Sequence, residues 1–145
     1  MRRHTASWVL AVATVAAPVG AANRGVTIGE VSSQVTRHGV DFGPIVREAS
    51  EEELRSVDLS RVPSDTRVIV SVALVRLDTL AERRTTDARC KVSATLRDAR
   101  KGTIFAVLES EARASGGDAR DSVENDAVHG ALRGVLGRIP EVLRR

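Results

Sequence analysis

Aromatic side chains are nearly missing from this chain of 145 residues, which has one Trp, two Phe and no Tyr. Trp8 lies in an amino-terminal leader, so the remainder holds only Phe42 and Phe105 and its core must be aliphatic. Cys90 is the sole cysteine. No internal disulfide can therefore staple the fold, and stability rests on packing. A concentrated positive field is lacking as well. The 22 Lys and Arg residues exceed the 19 Asp and Glu by three, but Arg2 and Arg3 belong to the leader, and 20 cations against 19 anions leave only +1. That balance excludes nucleic acid and anionic membrane as electrostatic partners, because both demand clustered positive charge. Arginine outnumbers lysine 20 to 2, a composition of GC-rich bacterial genomes.

What is present begins with the leader. Met1 to Ala22 has the three parts of a secretory signal: Arg2 and Arg3, an apolar stretch from Trp8 to Ala17, then Pro18 before small residues. Roughly ten to thirteen apolar residues are too short to cross about 30 Å of hydrocarbon, so stable membrane insertion after processing is not expected. No cysteine lies near the cleavage region, which closes the lipid-attachment route. The organisation expected is a signal peptide over 1–22 and a single α+β domain over 23–145, periplasmic or secreted. Cleavage after Ala21 or Ala22 satisfies the small-residue rule, with Ala22 preferred. The exported protein should accordingly begin at Ala22 or Asn23, and an intact mass that retains Met1 to Ala21 would refute the signal.

Along the domain the pattern reads strand, helix, three strands, helix. Val26 to Val35 reads as a first strand. From Phe42 to Val57 the residues Phe42, Ile45, Val46, Ala49, Leu54 and Val57 recur at helical spacing, with Asp41 as N-cap and the Glu51-Glu52-Glu53 run as a solvated face. Leu59 to Thr66 is a linker by composition. Arg67 to Leu77 is rich in Val and Leu on both phases, as in a strand covered on each face. Cys90, Val92, Ala94 and Leu96 alternate with polar neighbours, the pattern of a half-buried strand. Thr103 to Ala114 forms the next strand, and Val123 to Leu143 carries a helical apolar stripe that Pro140 should break.

Only ten residues separate Leu77 from Ala88, too few for a crossover helix, so the last three strands form antiparallel hairpins. The fold class expected is α+β, a four-stranded mixed sheet containing a three-strand meander, in the order β-α-β-β-β-α, with two helices on one face. A three-residue loop Arg100-Lys101-Gly102 would pair Ala99 with Thr103 and set Leu96 opposite Ala106, Ala94 opposite Leu108 and Cys90 opposite Ala112. The preceding hairpin, centred near Glu82, would pair Leu74 with Cys90 and Val72 with Val92.

The chemistry is mostly defined by exclusion. His38, His129 and Cys90 are too few and too scattered for a closed zinc site. Cys90 with His129 could make a nucleophile and its base, but a mid-strand cysteine facing aliphatic side chains holds its proton and is a poor nucleophile. No G-x-S-x-G elbow, phosphate loop or dinucleotide turn occurs. Glu109 and Glu111 share a strand face, where Lys91 and Arg113 neutralise them as a charge ladder. No catalytic residue, metal site or cofactor follows. The positive feature is the sheet face turned away from the helices, where Ile69, Val75, Leu77, Phe105 and Val107 form an apolar strip among charged residues, the composition of a partner surface.

The stretch Arg67 to Ala114, with Val75-Arg76-Leu77-Asp78 and Asp98-Ala99-Arg100-Lys101-Gly102-Thr103, followed by an Ala-rich amphipathic helix, resembles small bacterial envelope proteins. They are of the curli-secretion, TolB amino-terminal-domain and penicillin-binding-protein-activator type. The similarity covers about half of the mature chain. It implies a non-catalytic binding or assembly component of the cell envelope, whose partner is another envelope protein or a second copy. A self-associating structural protein and a small hydrolase are the alternatives. Strictly monomeric behaviour of the pure protein would favour a binding module over the first of these, and a deep polar pocket with a perturbed carboxylate would revive the second.

Overall fold

The computed structural model describes residues 25–37, 39–117 and 119–144. The signal segment 1–22, its cleavage site and His38 lie outside these residues.

Strand β1 (Val26–Ser33) is followed by a small hairpin of β2 (Thr36–Arg37) and β3 (Val40–Asp41), then helix α1 (Gly43–Arg55). Three long strands come next: β4 (Val68–Glu82), β5 (Thr85–Asp98) and β6 (Ile104–Gly116). Helices α2 (Arg120–Leu136) and α3 (Ile139–Leu143) close the chain. The main sheet has the order β1-β4-β5-β6, with β1 parallel to β4 and the other neighbours antiparallel. This is the expected α+β architecture, and it places β1 and β6 at the two edges.

Local sequence explains the elements. Pro44 stands in the first turn of α1, where its missing N–H costs nothing. Asp41 does not occupy the N-cap, which is Phe42; from one residue earlier its Oδ1 accepts the Gly43 amide at 2.9 Å. Val46, Ala49, Ser50, Glu53 and Leu54 make the buried stripe of α1, spaced by three and four residues. Pro140 lies in the first turn of α3, and α2 ends at Leu136, so the proline separates two helices as expected.

The core is aliphatic. Val70, Val72 and Leu74 of β4, Val92, Ala94 and Leu96 of β5, and Ala127, Val128, Ala131, Leu132 and Val135 of α2 are all buried in it, with α2 packed over β5 and β6. The strict alternation of β5 therefore marks its core face correctly. In β4 the alternation changes phase: even residues through Leu74 are buried, a bulge falls at Val75, and Leu77 is then the buried one. A bulge adds one residue to one strand and turns every later side chain over.

Both hairpins differ from expectation near their turns. The strand pair β5–β6 keeps Leu96 opposite Ala106, Ala94 opposite Leu108 and Cys90 opposite Ala112, as predicted. The loop, however, has four residues, because Asp98 pairs with Thr103: its N–H donates to the Thr103 carbonyl at 2.9 Å and its carbonyl accepts from Gly102 N–H at 2.8 Å. The Asp98 carboxylate accepts the Arg100 and Lys101 amides at 2.8 and 2.9 Å, which holds the wider turn and keeps that carboxyl below the usual range. Ala99 is drawn to β4 instead, its amide donating to the Arg67 carbonyl at 2.9 Å. A bulge at Phe105, between the pairs Leu96/Ala106 and Arg97/Ile104, returns the extra residue.

The β4–β5 hairpin is a two-residue turn of Arg83 and Arg84, with Arg83 in the left-handed region at φ 52°. Leu74 thus pairs with Val92 and Val72 with Ala94, two residues from the expected register. A shift of two leaves faces unchanged, which is why the core assignment survives it.

Candidate functional site

The open face of the sheet is built from three strands. Of the predicted strip, Phe105 and Val107 on β6 are exposed, at 46% and 59%, and Ile104 beside them reaches 59%. Ile69 and Val75 on β4 are half-buried. Leu77 is not on this face: it is 5% exposed and belongs to the core, because the bulge at Val75 reverses its direction. Between β4 and β6 the face of β5 shows Arg89, Lys91, Ser93, Thr95 and Arg97. The apolar strip is therefore divided, and its continuous part is Ile104, Phe105 and Val107 at one end of an edge strand. The Phe105 bulge is what exposes two successive apolar residues there, a feature that alternation alone would have hidden.

Charges hold the other end. Arg89 Nε lies 3.1 Å from Glu111 Oε1 and Lys91 Nζ 3.6 Å from Glu109 Oε2, so the two glutamates are rungs of an ion-pair ladder on the open face. Arg138 reaches over the edge and donates to the Glu109 carbonyl at 3.2 Å, which occupies one backbone acceptor of β6. The stretch from Ile104 to Val107 carries no such cover among the described contacts.

The sequence reading missed an ionic cluster on the helical side. Glu53 is not solvated; its side chain is 8% exposed at the contact of α1 with α2. Arg133 Nε donates to Oε2 at 3.2 Å and Arg133 Nη2 to Oε1 at 3.1 Å, while His129 Nδ1 lies 2.9 Å from Oε1. A carboxylate only accepts, so Nδ1 of His129 carries a proton in this contact. Burial alone would raise the Glu53 carboxyl, but the hydrogen bonds and charges of His129 and Arg133 outweigh it and hold the group below its ordinary value. His129 and Arg133 stand four residues apart on one face of α2, and Glu53 falls on the apolar stripe of α1; those two spacings are the signal that could have found the cluster. A second buried acid, Glu124, accepts from Thr79 Oγ1 at 2.6 Å and Arg120 Nε at 3.0 Å.

Below Glu53 opens a cleft of about 700 Å³ between the end of α1, the following loop and the α2–α3 junction. Arg61, Arg133, Arg144, Asp58 and Glu141 are among the residues that line it. Among the described residues no group of three or more His, Cys, Asp or Glu side chains is placed to hold a metal, and no helix is long and apolar enough to cross a membrane.

Cys90 faces the helices and is fully buried. Burial, with a smaller contribution from Glu111, pushes its thiol up to about 12. The thiolate is scarce at neutral pH, so labelling by a thiol reagent in native buffer should run at least about 100-fold slower than in denaturant. Equal rates in the two conditions would show that the strand phase is wrong.

No protein-family model and no curated protein matches the chain. Solved structures do share its fold. A hypothetical protein of Chlamydia trachomatis superposes with a TM-score of 0.60 at 12% identity, over 81% of this chain and 96% of that one. A protein of Caulobacter crescentus CB15 described as a lipoprotein gives 0.52 at 12% identity, over 84% and 89%. PelC of Paraburkholderia phytofirmans, solved as a dodecamer, gives 0.52 at 14%, over 82% and 90%. The agreement lies in the fold.

Proposed function

We propose that this chain is an exported, non-catalytic module of the bacterial cell envelope that associates with another protein through the free end of β6. The observation that carries the reading is the exposed trio Ile104, Phe105 and Val107 on an edge strand. An uncovered edge with apolar side chains is a template for pairing, and folded proteins otherwise cover or charge it. Here the Glu109 position is covered by Arg138, while the trio is left open. The secretory leader and the fold shared with a protein described as a lipoprotein support the envelope location. The non-catalytic reading is supported by the protonated, buried Cys90 and by the ion pairs that engage Glu109 and Glu111. It also agrees with what the resemblance to the curli-secretion and TolB group implies.

One observation favours a second copy as the partner: PelC, which shares this fold, is a dodecamer. Sedimentation of the purified protein and photo-crosslinking from position 107 in cells test both versions. Val107→Glu is expected to abolish the association, because it places a charge in the apolar contact, and to leave the melting temperature within about 2 °C, because the residue is solvent-exposed. Self-assembly lost in this variant identifies a second copy, and a specific crosslink from a monomer identifies another protein. A monomer that forms no crosslink, or a variant that unfolds, would overturn the reading.

A further inference from the structure

We propose that the cleft below Glu53 binds one oxyanion group, a carboxylate or a phosphate, carried on a small polar ligand, with Arg133 as its fixed donor. The site lies on the helical side of the sheet and is independent of the association through β6.

Glu53 makes the site by holding Arg133 in place. Its two oxygens take the Nε and Nη2 edge of the guanidinium at 3.2 and 3.1 Å. A guanidinium has five N–H donors in a rigid plane, so this fork leaves both Nη1 hydrogens and one on Nη2. The Arg133 side chain is 72% exposed although its anchor is only 8% exposed, and it lines the cleft. His129 on the same carboxylate prevents Glu53 from turning toward another partner. The result is a guanidinium fixed by Glu53, with its remaining donors at a cleft that both residues line. That is the arrangement that recognises a carboxylate or phosphate oxygen by paired hydrogen bonds.

Two further cations border the cleft. Arg61 and Arg144 are exposed and belong to different segments, the loop after α1 and the end of α3. Arg144 is steadied by a 3.3 Å bond from its Nε to the Pro140 carbonyl. Asp58 feels both: its carboxyl is held low first by the Ser60 hydroxyl and amide, then by the charges of Arg61 and Arg144. With Glu53, Asp58 and Glu141 against Arg61, Arg133 and Arg144, the lining is charge-balanced. A polyanion gains nothing from such a lining. A small polar ligand with one oxyanion group matches it, since a single negative charge is met by the arginines without being outweighed by the acids. The volume suits one or two sugar-sized units.

The test titrates the purified protein at low ionic strength with sodium glucuronate, inorganic phosphate and glucose, followed by calorimetry and by NMR shifts. Saturable binding of at least one anion with a Kd below about 5 mM is expected, and none of glucose. The stronger of the two anions identifies the group as carboxylate or phosphate. Arg61→Ala and Arg144→Ala should each weaken that binding about fivefold with an unchanged melting temperature, and Arg133→Lys, which keeps the charge and loses the fork, about tenfold. Should Arg133→Lys fail to fold, the Arg61 and Arg144 variants still decide the matter. No saturable binding of either anion, equal binding of glucose, or anion binding left unweakened by a folded Arg133→Lys variant or by the Arg61→Ala/Arg144→Ala double variant would overturn the proposal.

Discussion

Truncating Leu96 to alanine is expected to lower the unfolding free energy by about 3 kcal/mol, within the roughly 2–5 kcal/mol found for closed aliphatic cores. Leu96 is fully buried, lies opposite Val70 and Ala106, and faces the helices. Its removal leaves a cavity that neighbours on two rigid strands can fill only in part. No disulfide compensates, and the one cysteine is itself part of the core. Against a total stability of about 5–15 kcal/mol for a small domain, such a loss is a large fraction. The measurement is a urea transition with unchanged slope and a lowered midpoint. Ile104→Ala serves as the contrast, since Ile104 is 59% exposed and should change stability by less than about 0.5 kcal/mol. A Leu96 variant that loses under about 1 kcal/mol would show that the sheet–helix layer is not closed at this point.

That contrast also marks where the sequence was readable. In β5 every second residue from Thr86 to Leu96 is buried without interruption, so periodicity alone identifies the core face. The same logic misplaced Leu77, because the bulge at Val75 leaves no mark in composition: both phases of β4 are apolar. The turn at Arg83 and Arg84 contains neither Gly nor Asn, the residues that announce a two-residue hairpin, and its register was therefore missed by two. The Asp98 loop did carry its signal. An aspartate that accepts two amides of its own turn favours the wider loop, and the bulge at Phe105 then restores the register on which the core depends. For the same reason the partner strip was half legible: alternation finds Phe105 and Val107, while the exposure of Ile104 beside them requires the bulge.

Glu53 was hidden for a different reason. Three successive glutamates suggest a solvated face, yet successive helical residues point in different directions, and only the third falls on the stripe shared with Val46, Ala49 and Leu54. Burial of a carboxylate is tolerable only with charged donors, and those come from α2, 76 and 80 positions further along the chain. No local pattern links residues so far apart. The cluster ties α1 to α2 by direct bonds, and it fixes Arg133 for the cleft.

Glu53→Gln should therefore cost about 2 kcal/mol, since the amide keeps the shape but loses the charge and one of its acceptor oxygens, leaving half-buried His129 and the Arg133 fork mismatched. The effect should depend on pH in one direction. The folded carboxyl titrates below its ordinary value of 4.5, so the ionised group adds stability that is fully present above that value. It is lost as pH falls through the folded value, where protonation removes the charge from the ion pairs. The stability difference between the wild-type protein and Glu53→Gln is thus expected to shrink on acidification below about pH 5. Urea titrations of both proteins across that range give the difference directly. A difference that stays constant or grows on acidification would mean that Glu53 is not ionised in the folded protein. The guanidinium of Arg133 would then lack the fixed charge that positions it.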